Sequence, residues 1–236
     1  MEPHDAERGM ARYGAREMRL ALDWDGTVTE RDTLHMVIER FGDLGVFRRM
    51  EAELGKRLTL QEVIRVEMAT IRTPLADVVE WVVREVMVRP GFARLIEHDP
   101  LIVSAGFHEL IEPVLAREGV RARVVANRLA DGSDGLEARF TSEARCAVCD
   151  EACKRGAIAE LGRFAYAGDG ISDRCVALAA DRVFARDGLA RWLGERGTPY
   201  EPFDTLDDIC EAMRPDSERT AGDGRGGGPP PAHAAY

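Results

Sequence analysis

The chain has 236 residues, 45% of them hydrophobic, and carries 32 basic against 42 acidic side chains for a net charge of −10. That length and composition fit one large domain, or a core domain with a smaller one, and exclude disorder over the whole chain. The acidic balance argues against nucleic-acid binding, which needs a basic face, but leaves room for a small anion held by a local cluster of donors.

Residues 1–17 are polar and mixed in charge and read as a flexible N-terminal extension. No signal-like apolar run opens the chain, and nowhere do about 18 apolar residues follow one another, so no membrane partner is expected. Together with five cysteines, an odd number, this points to a cytoplasmic protein with free thiols. Residues 215–236, rich in Gly, Pro and small polar residues, read as a disordered C-terminal tail. In the body, short apolar runs predict strands over 19–24, 101–104, 123–126, 164–167 and 183–185, with an edge strand over 200–203. Helical patterns cover 107–118, 149–161, 172–180, 189–194 and 207–213. This alternation predicts an α/β fold with a doubly wound, Rossmann-like parallel sheet, built from 18–31 and 89–214. Residues 32–88 break the alternation with four consecutive helices over 32–41, 44–54, 60–71 and 74–87, which reads as a small helical cap domain inserted after the first strand. Thr59 and Thr73 are the expected N-caps of the last two, with Pro74 at a first helical position.

Acidic residues collect at strand ends, where α/β sheets bind ligands. The first strand ends in Asp23-Trp24-Asp25-Gly26-Thr27, and a later one in Gly168-Asp169-Gly170-Ile171-Ser172-Asp173. Carboxylates converging in one crevice repel unless a cation joins them, and oxygen ligands of this kind suit Mg²⁺. Between them in sequence, Ile102-Val103-Ser104-Ala105-Gly106 offers a hydroxyl and turn amides ahead of a helix, a phosphate-binding arrangement. Only two of the 32 basic residues are lysines, Lys56 and Lys154, and Lys154 precedes the second acidic strand end. A compact ammonium there can neutralise phosphoryl oxygens where a forked guanidinium would not fit.

In this order the motifs resemble those of the haloacid dehalogenase superfamily of phosphatases. Asp23-Trp24-Asp25-Gly26-Thr27-Val28 is similar to its first motif, Ser104 to the second, Lys154 to the third and Gly168 to Asp173 to the fourth. The helical insert and Arg89-Pro90-Gly91-Phe92 resemble the phosphoserine phosphatase branch. The resemblance implies an Mg²⁺-dependent phosphatase acting on a small phosphorylated metabolite through an aspartyl-phosphate. It implies Asp23 as nucleophile and Asp25 as general acid and base. Ser104, Ala105, Gly106 and Lys154 would hold the phosphoryl group. Asp23, the Asp25 main-chain carbonyl and Asp169 would hold the metal, with Asp173 in support.

Either Glu30 or Asp32 stands where that branch meets a substrate amino group. The cysteine region and the stretch Tyr200-Glu201-Pro202-Phe203-Asp204 look closer to the methionine-salvage phosphatase acting on hydroxy-ketomethylthiopentenyl phosphate, and to phosphoethanolamine/phosphocholine and pyridoxal-phosphate phosphatases. A phosphotransferase and a catalytically silent binding module are the remaining alternatives. Arg48, Arg49 and Arg57 are candidates for a substrate carboxylate, and His35 for a crevice contact, against the plainer reading of a solvated helix face. Trp24 is expected to point away from the two carboxylates into the core. Cys146-x₂-Cys149-x₃-Cys153 supplies three of the four ligands of a structural zinc, which His108 or Asp150 could complete; packing thiols and a reversible disulfide are the other readings.

Overall fold

A computed structural model describes residues 18–214. The N-terminal extension over 1–17 and the tail over 215–236 lie outside the described residues.

Seven strands make one sheet: β1 (Arg19–Leu22), β2 (Leu101–Phe107), β3 (Arg123–Asp131), β4 (Leu136–Arg139), β5 (Phe164–Gly168), β6 (Arg182–Ala185) and β7 (Glu201–Pro202), in the order β4-β3-β2-β1-β5-β6-β7. All neighbours are parallel except β3 and β4. The expected α/β sheet is therefore present with one addition, an antiparallel hairpin at its edge. The turn signal for that hairpin stands at Gly132 to Gly135, but β4 reads Leu-Glu-Ala-Arg, with only two apolar side chains, Leu136 and Ala138, buried. Strand order reverses about β1, so β1, β2 and β5 open onto the crevice at the topological switch point.

Alternation sorts the strand side chains between the two faces. Leu20, Leu22, Ile102, Ala165 and Ala167 join one buried cluster, while Ala21, Leu101, Val103, Phe164 and Tyr166 join the other. Trp24 is fully buried in the first cluster with its ring edge-on to Phe92 at 6.1 Å, away from the carboxylates as expected.

Between β1 and β2 run α1 (Thr33–Phe41), α2 (Leu44–Glu53), α3 (Leu60–Met68) and α4 (Leu75–Glu85), as the periodicity predicts. Asp32 caps α1, accepting the His35 N–H at 2.9 Å, and Thr59 and Glu62 cap α3 reciprocally. Thr73 does not cap α4: Pro74 holds that position, and the first N–H of the helix, on Leu75, is taken by Asp131 of β3 at 2.8 Å. The apolar faces of α1, α3 and α4 merge with α6 (His108–Arg117) in the same cluster as the sheet face.

Three expected elements differ. The Ser104-Ala105-Gly106 segment is not a turn but the irregular middle of β2, whose register against β3 shifts between Val103 and Phe107. The helix over 149–161 shrinks to a 3₁₀ turn, Lys154–Ile158, because Lys154 is drawn into the interior. The helix over 172–180 divides into a 3₁₀ turn, Ile171–Asp173, and the short α7 (Arg174–Ala177).

After α4, Arg89 is buried and donates to the carbonyls of Gly26, Thr27 and Thr29 at 3.0–3.2 Å, fixing the loop that follows β1. Gly91 then turns with φ +92° and leads into α5 (Phe92–Leu95), packed on the closing helix Leu206–Met213; a Cβ at Gly91 would stand 2.4 Å from the Asp207 backbone nitrogen. Only glycine fits both the dihedral and the approach. Gly91→Ala is therefore expected to destabilise the protein by about 2 kcal/mol or more. Urea unfolding tests this, and an unchanged midpoint would contradict it.

Candidate active site

β1 ends at Leu22, yet the Asp23 N–H continues the ladder to Ala167 O at 2.9 Å, which holds Asp23 at the mouth of the sheet. Its carboxylate is buried against the Lys154 Nζ. The same ammonium reaches Asp173 Oδ1 at 2.7 Å, so Lys154 sits between two carboxylates. Asp173 is fully buried and saturated: Tyr166 donates to Oδ1 at 2.6 Å, and the Asp169 and Gly170 amides both donate to Oδ2 at 2.9 Å. With Lys154 included, its acceptor sites are full. Its geometry suits holding the loop and the ammonium rather than adding a metal ligand.

Asp169 is only partly buried and accepts from Thr27 Oγ1 at 3.0 Å. Carboxylate oxygens of Asp23, Asp169 and Asp173 lie within 4.8 Å of one another. Gly26, at φ +77°, makes room for this approach, because a Cβ there would stand 2.4 Å from Asp169 Oδ2. Asp23 and Asp169, whose oxygens are not saturated as those of Asp173 are, offer the oxygen donors that suit a divalent cation. The Asp25 carboxylate is not part of it. It faces β2 instead, accepting from Ser104 Oγ at 3.1 Å and from the Thr33 N–H at 3.1 Å. The Gly106 N–H points to Ser104 Oγ at 2.8 Å, and Asn127 Nδ2 holds the Ala105 carbonyl at 2.7 Å. The irregularity in β2 thus brings a hydroxyl and an amide to the crevice.

The electrostatics follow from packing. Burial, reinforced by Asp173, raises the Asp23 carboxyl well above the usual range despite Lys154. Burial and nearby Asp32 push Asp25 up to about 6 against the hydrogen bonds from Thr33 and Ser104. Burial and Asp173 push Asp169 up to about 7. For Lys154 burial works against the charge, but Asp173 and Asp23 outweigh it and hold its pKa above the usual lysine value.

A cavity of about 290 Å³ opens over Asp23, Asp25, Gly106 and Asp169. Helices α1–α3 supply its far wall with Leu34, Leu60, Val63 and Ile64, together with His35, Glu51 and Glu67. A larger neighbouring cavity of about 1060 Å³ shares Leu54, Leu60, Ile64, Ala105, Ile171 and Ser172 and extends past Ser104 and Lys154. Glu67 is buried, and desolvation with Glu51 and Asp32 pushes its carboxyl up to about 8. Of the two acidic candidates that follow Asp23 in sequence, Asp32 lines the crevice while Glu30 is exposed outside it. Arg48, Arg49 and Arg57 are also exposed and absent from both walls, Arg57 pairing with Glu53 at 3.4 Å. The spacing of Asp23, Asp25, Asp169 and Lys154 anticipated their convergence. Tyr166, Asn127 and Glu67 were missed, because a buried polar tip on an otherwise apolar strand or helix reads as core.

A family model of the haloacid dehalogenase-like hydrolases matches residues 20–178. The 2-hydroxy-3-keto-5-methylthiopentenyl-1-phosphate phosphatases of Brevibacillus brevis and Geobacillus kaustophilus are each 28% identical, over 85% and 84% of this chain and 96% of each relative. In fold, a phospho-aspartyl intermediate analogue of phosphoserine phosphatase matches with a TM-score of 0.64 at 18% identity, over 84% of this chain and all of the other. A substrate-bound phosphoserine phosphatase complex matches with a TM-score of 0.63 at 17% identity. The chain belongs to the haloacid dehalogenase-like hydrolases. Within that class it is a phosphatase of the branch with a helical insert between the first and second motifs.

Carboxyls with raised folded pKa bind protons more tightly in the native than in the unfolded state, so stability falls as pH rises through them. For Asp25, Asp169 and Glu67 that window opens near the ordinary carboxylate value of about 4 and closes at about 6, about 7 and about 8 respectively. The metal-free protein is expected to melt lower at pH 8 than at pH 5.5, by about 2–4 °C for each kcal/mol lost. Scanning calorimetry tests this, and a Tm that rises with pH would contradict the packing described.

Proposed function

We propose that this chain hydrolyses a small phosphate monoester through an aspartyl-phosphate on Asp23, with Mg²⁺ as its cofactor. The observation that carries the reading is the division of labour between two neighbouring carboxyls. Asp23 is aligned by Lys154 at the mouth of the sheet, and Asp25 is turned aside onto Ser104 and Thr33. Asp23 attacks phosphorus while Asp25, with a pKa of about 6, gives a proton to the leaving oxygen. Asp25 then takes a proton from the water that opens the acyl phosphate. Lys154, Ser104 and the Ala105 and Gly106 amides hold the phosphoryl oxygens, a stabilisation that grows as charge spreads over them. Mg²⁺ held by Asp23, Asp169 and the Asp25 carbonyl would offset the carboxylate repulsion and polarise the phosphoryl group. Asp173 positions Lys154 and the Asp169 loop.

Helices α1–α4 act as a cap over the crevice, with 18–31 and 89–214 as the core, and exclude chains of protein size. For the ester's organic part, the wall favours a tail without a carboxylate, since Leu34, Leu60, Val63 and Ile64 stand beside Asp32, Glu51 and Glu67, with no arginine or lysine lining that cavity among the described residues. The methylthiopentenyl phosphate named for the bacterial relatives has such an uncharged tail. Phosphoserine is the second reading, supported by Asp32 in reach of a substrate amino group.

Asp23→Asn is expected to abolish Mg²⁺-dependent hydrolysis of para-nitrophenyl phosphate. Lys154→Arg, with the charge kept but the shape changed, is expected to lower kcat by roughly 10²-fold or more. Full activity in either variant would contradict the assignment. In a panel of phosphorylated metabolites, the methylthiopentenyl phosphate is expected to exceed phosphoserine in kcat/KM by at least about tenfold, the cost of seating a carboxylate against acidic groups. The reverse order would favour the phosphoserine reading.

A further inference from the structure

Cys146, Cys149 and Cys153 gain a fourth partner in the fold. Cys175, on α7, brings its Sγ to 3.8 Å from that of Cys146, and all four sulfurs lie within 4.8 Å of one another. The sequence alternatives for the fourth ligand are engaged elsewhere: Asp150 pairs with Arg145 at 2.8 Å and His108 with Glu112 at 2.7 Å.

We propose that Cys146, Cys149, Cys153 and Cys175 form a structural tetrathiolate zinc site that ties the loop carrying Lys154 to the segment carrying Asp173. Four Zn–S bonds of about 2.3 Å in a tetrahedron place the sulfurs about 3.8 Å apart. A disulfide needs about 2.05 Å. The loop is shaped as a two-cysteine metal turn. The Val148 N–H donates to Cys146 Sγ at 3.4 Å, the Asp150 N–H returns to the Cys146 carbonyl, and Asp150 takes the left-handed φ of +56°. Four thiolates on Zn²⁺ leave a net charge of −2, and the Arg155 guanidinium lies 3.7 Å from Cys175 Sγ to offset it.

The loop needs such a tie. From Thr141 to Cys153 the chain has neither helix nor strand, and Val148 within it is 62% exposed, so little hydrophobic burial holds it. Yet Cys153 directly precedes Lys154, and Cys175 follows Asp173 by two residues. Zinc binding displaces the thiol protons to solvent, with no change in oxidation state, and adds its binding free energy to the fold.

The test uses the full chain without a polyhistidine tag, produced with zinc in the medium and kept reduced. Elemental analysis is expected to find one zinc per chain. A thiol-blocking mercurial is expected to release it as four thiols react. Cys149→Ser, at an exposed position, and Cys175→Ser are expected to lose the zinc, while Cys210→Ser and Asp23→Asn retain it. Retention in Asp23→Asn separates this site from the phosphatase metal, so the two readings can fail independently. Zinc-free wild-type protein, iron in its place, or full zinc occupancy in Cys149→Ser would overturn the proposal.

Discussion

The site depends on one buried ammonium. Lys154 Nζ is enclosed between Asp23 and Asp173, with Tyr166 closing the far side, and almost none of it meets water. An unpaired ammonium at that depth would lose its proton. The two carboxylates beside it hold it charged. The pairing is oriented further by fixed donors: the Asp169 and Gly170 amides grip the second oxygen of Asp173, and Asp173 in turn grips Lys154. Replacing Lys154 leaves two carboxylates buried without their cation, which is the costly case for an ion network.

The sheet explains why these groups meet. Strand order reverses about β1, so Asp23 lies between Ser104 from β2 on one side and Asp169 from β5 on the other. Asp23 follows the Ala21 face, toward Tyr166 and Lys154, while Trp24 turns to the opposite face and anchors the strand end in the core. Arg89 fixes the intervening loop by holding the carbonyls of Gly26, Thr27 and Thr29 with its guanidinium. The chemistry thus rests on backbone placement, with side chains aimed by a pleat and a bulge.

Much of this was legible in the sequence because it is periodic or repeats a motif. The apolar strands, the four inserted helices and the acidic strand ends all carry local signals. What was not legible depended on tertiary partners. The 149–161 stretch looks helical, yet pulling Lys154 inward and gathering four sulfurs leaves only a 3₁₀ turn. Cys175 is remote in sequence from the other three cysteines, so no spacing could announce it. Ser104 to Gly106 reads as a turn from its small residues, whereas the pairing of Val103 and Phe107 on either side with β3 carries it inside a strand. The choice between Glu30 and Asp32 turned on where α1 begins, since the N-cap role of Asp32 directs that residue to the crevice.

The central claim is that Asp23, aligned by Lys154, takes up the phosphoryl group. Rapid acid quenching of the Mg²⁺-loaded enzyme during turnover, followed by peptide mass spectrometry, tests it most directly. One phosphoryl group is predicted on the peptide containing Asp23, lost on treatment with hydroxylamine as an acyl phosphate is. A phosphoryl group on another side chain, or turnover with no covalent adduct under conditions where the intermediate must accumulate, would contradict it.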